Sequence, residues 1–236
     1  MSQQMTLLEA SISYLRQDPL LNMGLLEPLR LGTAEVIQAT GESMLLLETN
    51  SGVYMLSAAR PEEGLRLLAQ LDSCDVLVVC QKPLVEPAQE RFGLQTALEC
   101  YQAAYLRPEA VPVSGAVTLA QPTAAEYERI KANYQLLPEE ELDKIYRQGD
   151  LFGGYAGGEL IGYVGQHLEG SMGLLEIFPE YRRLGYGSQL ECLMIDHLLA
   201  KGRIPFCQVA KGNESSLRLQ QKLGMAVSDS CLYWLS

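Results

Sequence analysis

Between Arg182 and Gly187 the chain places two adjacent arginines and two glycines within six positions, Arg-Arg-Leu-Gly-Tyr-Gly, followed by Ser188. An apolar run precedes this stretch and a helix-like pattern follows it. A strand, a glycine turn and a helix start make an anion site from backbone alone. The first turn of a helix has N–H groups without intrahelical partners, and the helix dipole adds about half a positive charge there. Glycines let such a backbone come close to a phosphate. The charge pattern agrees. Residues 182–222 hold seven basic residues against three acidic ones, inside a chain whose net charge is −11. Two phosphate motifs are excluded. The dinucleotide pattern GxGxxG fails because Leu190 stands where the third glycine belongs, and no Gly-Lys-Ser/Thr of a P-loop is present.

The elements that must carry this turn can be read from patterning. Residues 171–179 (SMGLLEIFP) read as a strand stopped by Pro179. Leu190, Leu193, Met194 and Leu198 fall on one face of a helix over 186–200. Before them, "VTLAQP" reads as a strand and residues 123–134 as a helix, with Thr123 and Glu126 at capping-box spacing. Residues 138–149 read as a helix with acids first and Arg147 last, and 151–170 as a hairpin turning at Gly157-Gly158. After them come a buried strand "IPFCQVA", a helix 213–224 capped by Asn213 and closed by Gly224, and a final strand 226–236. The segment 106–115, with two prolines and a glycine, reads as a linker. The region before it gives two helices in residues 3–31, then three strand-like runs. These are followed by a helix from Pro61, a strand "DVLVVC", a helix near 84–92 and a strand near 96–106. The expectation is an α/β (α+β) protein of two domains: an accessory or degenerate one over 1–112 and a second one over 117–236. No repeat is apparent in the letters.

Composition excludes several classes. The acidic balance argues against nucleic-acid binding, and no run of about 18 apolar residues predicts a membrane span. The first twenty residues lack the basic start and apolar core of a signal peptide. Six cysteines without a CxxC pair read as reduced thiols of a cytoplasmic protein, and two histidines are too few and too separated for a metal site.

The ordered set "LLEIFPEYRRLGYGSQLECLMIDHLL", a strand, and "GNESSLRLQQKLGM" resembles the GNAT superfamily of acyl-CoA N-acyltransferases over residues 117–236. "PEYR", the Gly-Asn-Glu before the last helix, and the separate N-terminal α/β region are similar to its glycine N-acyltransferase branch. The resemblance implies a mixed sheet flanked by helices and acetyl-CoA, or another acyl-CoA, as co-substrate. It implies that Glu176, Ile177 and Phe178 lie along the pantetheine arm. Arg182, Arg183, Leu184, Gly185, Tyr186, Gly187 and Ser188 would hold the pyrophosphate. Asn213 and Ser216 would touch the pantetheine or cap their helix. The acceptor would be a small-molecule amine or amino acid, in a monomer or an oligomer. A protein or peptide N-acetyltransferase and a non-catalytic acyl-CoA binder are the alternatives. Many family members carry, seven residues after the asparagine, a tyrosine that protonates the leaving thiolate. Gln220 stands here, and it has no titrating proton to give.

For the base that deprotonates the amine, the residues leave three candidates. His167 and Glu169 alternate with Ser171 if "HLEGS" is unbroken strand. Glu176 lies closer to the turn, but its parity is opposite to that of Ile177. The expectation is Glu169, with His167 next and Glu176 third.

Overall fold

The structure is a computed structural model describing residues 3–112, 115 and 117–236. Residues 113 and 114 of the expected linker lie outside the described residues. Contacts divide the chain into two compact units, and the division does not follow the linker alone. One unit comprises Met1–Ala104, Gln208–Arg218 and Ala226–Ser236, the other Tyr105–Cys207 and Leu219–Met225. The expected boundary at 112–117 therefore misses two returning segments, and their hydrogen-bond partners explain why.

The first unit opens with α1 (Gln3–Leu15) and α2 (Met23–Leu31). It continues with β1 (Ala34–Ala39), β2 (Ser43–Glu48), β3 (Val53–Ala58), α3 (Pro61–Leu68), β4 (Leu77–Val79), α4 (Val85–Phe92) and β5 (Thr96–Ala104). The strand expected over "DVLVVC" is only three residues long. The last strand, β11 (Ala226–Leu235), is inserted between β4 and β5, antiparallel to both: Tyr233 faces Val79 on one side and Glu99 on the other. The sheet order is β1-β2-β3-β4-β11-β5-β10, with β10 being Phe206–Ala210. Alternation along β2 shows how the sheet is filled. Leu45 packs with Leu67, Leu68 and Ala88 of α3 and α4, whereas Met44 and Leu46 pack with Leu15 and Leu25 of α1 and α2. Both faces are thus covered, which is why the strand is buried at nearly every position.

The second unit holds β6 (Val117–Ala120), α5 (Ala124–Asn133), α6 (Glu139–Gln148), β7 (Leu151–Ala156), β8 (Glu159–Gln166), β9 (Met172–Ile177) and α7 (Tyr186–Ala200). The last of these is followed by β10 and then α8 (Glu214–Lys222), whose final turn belongs to this unit. Strands β6 to β9 form an antiparallel sheet in chain order. The capping box forms: the Glu126 amide donates to Thr123 Oγ1 and the Thr123 amide to Glu126 Oε2. Gly157 and Gly158 both sit at positive φ, 60° and 86°, as a two-residue hairpin turn with the twist of its strands requires. Tyr127, Ile130, Leu142 and Ile145 of α5 and α6 pack on Leu151, Leu160, Tyr163 and Leu174 of the sheet.

The element order carries a repeat that the letters do not. Helix-helix-strand-strand-strand-helix-strand-helix-strand runs from α1 to β5 and again from α5 to β11. The copies differ at one joint. In the first, β3 and β4 are hydrogen-bonded in parallel, Tyr54 facing Leu77 and Leu56 facing Val79. In the second, the matching strands β9 and β10 are the ends of different sheets.

Because β11 finds its partners in β4 and β5, a fragment of residues 116–236 leaves both edges of that apolar strand unpaired. Such a fragment is expected to lack a cooperative thermal transition and dispersed amide resonances, measured by calorimetry and two-dimensional NMR. A fragment that unfolds cooperatively contradicts this.

Candidate functional site

Strand β9 is not regular. Gly173 faces Gly165 and Glu176 faces Tyr163, so Leu174 and Leu175 together oppose the single residue Val164. This is a β-bulge, and Leu174 absorbs it with φ of 55°, a left-handed value uncommon for a branched side chain. A bulge leaves the extra residue outside the ladder and re-aims its backbone. It also resets the parity, so Glu176 shares a face with Tyr163.

The chain leaves β9 through a short 3-10 turn at Pro179–Tyr181. Arg182 folds back onto the strand, donating from Nε to the Ile177 carbonyl at 2.9 Å and from Nη2 to Glu176 Oε1 at 2.7 Å. Arg183 and Gly185 adopt left-handed φ of 65° and 80°. Leu184 between them is 60% exposed. Gly185 is the N-cap of α7, and no side chain caps the helix. The first-turn amides of this 15-residue helix therefore have no side-chain cap, and Arg183, in the turn before it, forms no ion pair among the described residues. A Cβ on Gly187 would meet only Ile177, at 3.8 Å, so glycine is not needed there for packing.

The residues expected to supply a base are placed differently from the sequence reading. Strand β8 ends at Gln166, and residues 167–171 form the hairpin turn, closed by the His167 amide on the Ser171 carbonyl. His167 and Glu169 are thus not on a strand face. The turn's glycine, Gly170 at φ 95°, ends the strand early. Glu169 is 8% exposed and accepts a short hydrogen bond from the fully buried Ser171 hydroxyl. The His167 ring lies over Gly173, where a Cβ would come within 2.3 Å of Nε2. Helix α6 adds Glu141, a residue that sequence reading took only as a first-turn acid. Burial raises its pKa, His167 opposes that, and Glu169 reinforces it, so these three groups lie within electrostatic reach of one another. Tyr134, pushed up to about 12 by burial, feels both Glu141 and Glu176. A second surface feature of this unit, a cavity of ≈ 260 Å³, lies beside Arg129, Asn133 and Phe178, with the Arg129 guanidinium 3.9 Å above the Phe178 ring.

Asn213 caps α8, its Oδ1 accepting from the Ser216 amide at 3.1 Å and the Ser215 hydroxyl at 2.9 Å. Seven residues on, Gln220 is buried and donates from Nε2 to Glu191 Oε1 at 2.6 Å. Glu191, on α7 and 5% exposed, is a carboxylic acid that burial pushes up to about 7, against the hydrogen bond from Gln220 that lowers it. Its Oε2 and the Gln220 Oε1 have no hydrogen-bond partner among the described residues. The signal for this pair was present: Glu191 is spaced 4 and 7 from Ile195 and Leu198, on a buried face. Among the described residues no group of His, Cys, Asp and Glu is arranged to hold a metal ion.

Comparison with known proteins bears on this geometry. Residues 151–235 match a family model described as FR47-like protein. Several solved structures resemble the chain over most of its length. A putative acetyltransferase of the GNAT family from Novosphingobium aromaticivorans matches at a TM-score of 0.55 and 17% identity, covering 93% of this chain and 96% of its own. The fold is that of the GNAT acetyltransferases. A GCN5-related N-acetyltransferase from Kribbella flavida has the same GNAT fold at TM-score 0.55 and 14% identity, covering 99% and 96%. A Drosophila protein aligns at TM-score 0.60 and 15% identity over 82% of this chain and 73% of its own. No curated protein sequence matches the chain.

Glu191 yields a pH prediction. Its folded pKa of about 7 lies above the ordinary value of 4.5, so the folded state holds the proton more tightly. Its contribution to stability is therefore fully present below pH 4.5, declines as pH rises, and is gone above about 7. Glu191→Gln keeps the shape, offers Gln220 both a donor and an acceptor, and cannot ionise. The variant is expected to lose this decline and to exceed the wild type at pH 8 by up to roughly 3 kcal/mol. Urea unfolding from pH 4.5 to 8 measures it, and parallel curves for the two proteins would refute it.

Proposed function

We propose that this chain is an acyl-CoA-dependent N-acyltransferase that takes acetyl-CoA as donor and a small-molecule amine or amino acid as acceptor. One observation carries the reading: the uncapped glycine turn of α7, directly after a bulged edge strand. In this reading the transferase part is residues 117–236, and residues 1–112 are an accessory copy. All six cysteines are free, which suits a reducing compartment, and the cytoplasm is the proposed location. No helix among the described residues is long and apolar enough to cross a membrane.

The physical roles follow from the residues. Amides of Gly185 to Ser188 and the side chain of Arg183 face the pyrophosphate of the donor. Arg182 acts one step back, since its guanidinium is committed to Ile177 and Glu176 and so fixes the end of β9. The outer edge of β9 pairs with the pantetheine amides. The bulge at Leu174 frees a backbone N–H to stabilise the oxyanion as the amine attacks the thioester carbon. The C–N bond forms, the C–S bond breaks with its electron pair to sulfur, and the amine's proton passes to Glu169, directly or through one water. Ser171 orients that carboxylate. Gln220 cannot protonate the thiolate, so water supplies that proton.

The direct test is thiol release from acetyl-CoA with the full chain and a panel of amines, amino acids and peptides. Turnover of free amines or amino acids is expected. Turnover of peptides alone would favour a protein acetyltransferase, and binding without release a non-catalytic acyl-CoA binder. Gly187→Trp is expected to lower CoA affinity at least a hundredfold by calorimetry while melting like the wild type. Retained affinity in that folded variant would move the donor site elsewhere.

Glu169→Gln is expected to lower kcat about a hundredfold, the usual scale for loss of a general base, with CoA affinity kept. The deficit shrinks at high pH, where the amine is already free. A normal kcat in Glu169→Gln with an impaired Glu176→Gln would reassign the base to Glu176.

A further inference from the structure

The first copy has lost what the second offers a phosphate ligand. Its β3 and β4 are hydrogen-bonded to each other, closing the edge. The turn into α3 has no glycine. It is Ala59-Arg60-Pro61, with Arg60 paired to Glu42 at 2.9 Å. Yet the first unit has a groove of its own, of ≈ 470 Å³, at the C-terminal end of β4. Its shape comes from a large bulge in β11. Val227 faces Ala103 and Cys231 faces Tyr101, so three residues oppose one. The Ser228 hydroxyl fixes this bulge, accepting from the Gln102 amide at 3.0 Å and donating to the Ser230 carbonyl at 2.7 Å. Asp229 and Ser230 are thereby presented to the groove.

Four charged side chains line it: Lys82, Lys211, Glu99 and Asp229. Lys211 and Glu99 neutralise each other at 2.6 Å. Lys82 and Asp229 form no ion pair among the described residues, which leaves one charge of each sign without a direct partner, although Lys82 lies within electrostatic reach of Glu99. The groove as a whole is neutral, so neither a polyanion such as CoA nor a polycation gains net electrostatic energy by entering it. A ligand that carries one ammonium and one carboxylate gives each of these two side chains a direct partner, and Leu21 and Pro83 offer its body an apolar wall.

We propose that this groove is a binding site for a small zwitterionic ligand of the free amino-acid type, its carboxylate toward Lys82 and its ammonium toward Asp229. The site is separate from the donor turn and does not rest on the transferase reading. It needs only the first unit's strands to be in place.

The test uses the full chain and four probes, L-leucine, L-glutamine, isoamylamine and isovalerate, titrated by calorimetry and followed by amide NMR. At least one of the two amino acids is expected to bind. The two single-charge analogues, each lacking one end, are expected to bind at least tenfold more weakly. Lys82→Glu and Asp229→Lys are each expected to weaken amino-acid binding at least tenfold with an unchanged melting temperature, whereas Gly187→Trp leaves it intact. The proposal is overturned if neither amino acid binds. It is equally overturned if binding survives both charge reversals, which would place the amino acid in an acceptor cleft instead, or if an analogue with one charge binds as tightly. Absence of thiol release from acetyl-CoA would count against the transferase alone and leave this result standing.

Discussion

The proposed chemistry rests on one unfinished edge. Every strand of a buried sheet must place its amides and carbonyls on a neighbour, and strand β9 does so only on the side of β8. Its far edge is left open, and the chain keeps that edge from becoming a general liability. The strand is short, the bulge at Leu174 twists it, and Arg182 covers the Ile177 carbonyl at its end. The opening is thus narrow and shaped, and the uncapped helix follows within nine residues of Ile177. In the first copy the same joint is closed by the β3–β4 ladder, and the helix after it starts with Pro61, which lacks an N–H to offer. One set of backbone hydrogen bonds, formed or not formed, distinguishes the two copies at this joint.

Side chains around the open edge are arranged by burial more than by pairing. Glu191 and Gln220 sit in the interior with one hydrogen bond between them and two oxygens unmet. Glu141 of α6 lies within electrostatic reach of Glu169 and His167 of the β8–β9 turn. Such groups are costly in an apolar interior unless they stay neutral or find partners. Their presence together in one small unit, flanking β9 and α7, marks where this fold departs from simple packing.

What could be read in the letters follows the physics of each element. The hairpin at Gly157-Gly158, the Thr123–Glu126 cap and the helix face of Leu190, Met194 and Leu198 were all legible, because each is set by local spacing. The glycine turn was legible for the same reason. The role of "HLEGS" was not: alternation of polar residues looks the same in a strand and in a tight turn, and Gly170 tipped the balance. The bulge was invisible, since register depends on the partner strand rather than on β9 itself. Glu191 was passed over because a helical glutamate is normally a surface residue. Its spacing from Ile195 and Leu198 reveals otherwise only when the face is known to be buried. The halves' shared architecture also left no trace in the letters, because different apolar residues fill equivalent places.

The insertion of β11 between β4 and β5 has a consequence for biosynthesis. A ribosome delivers β4 and β5 more than a hundred residues before their central neighbour. Until Leu235 has emerged, the sheet of the first unit has a gap between strands that never touch each other directly, each with a bare ladder facing it. The nascent chain must hold these edges apart from one another and from other chains through the whole synthesis of the second unit. Unpaired strand edges of this kind are among the features that make a folding intermediate prone to aggregate.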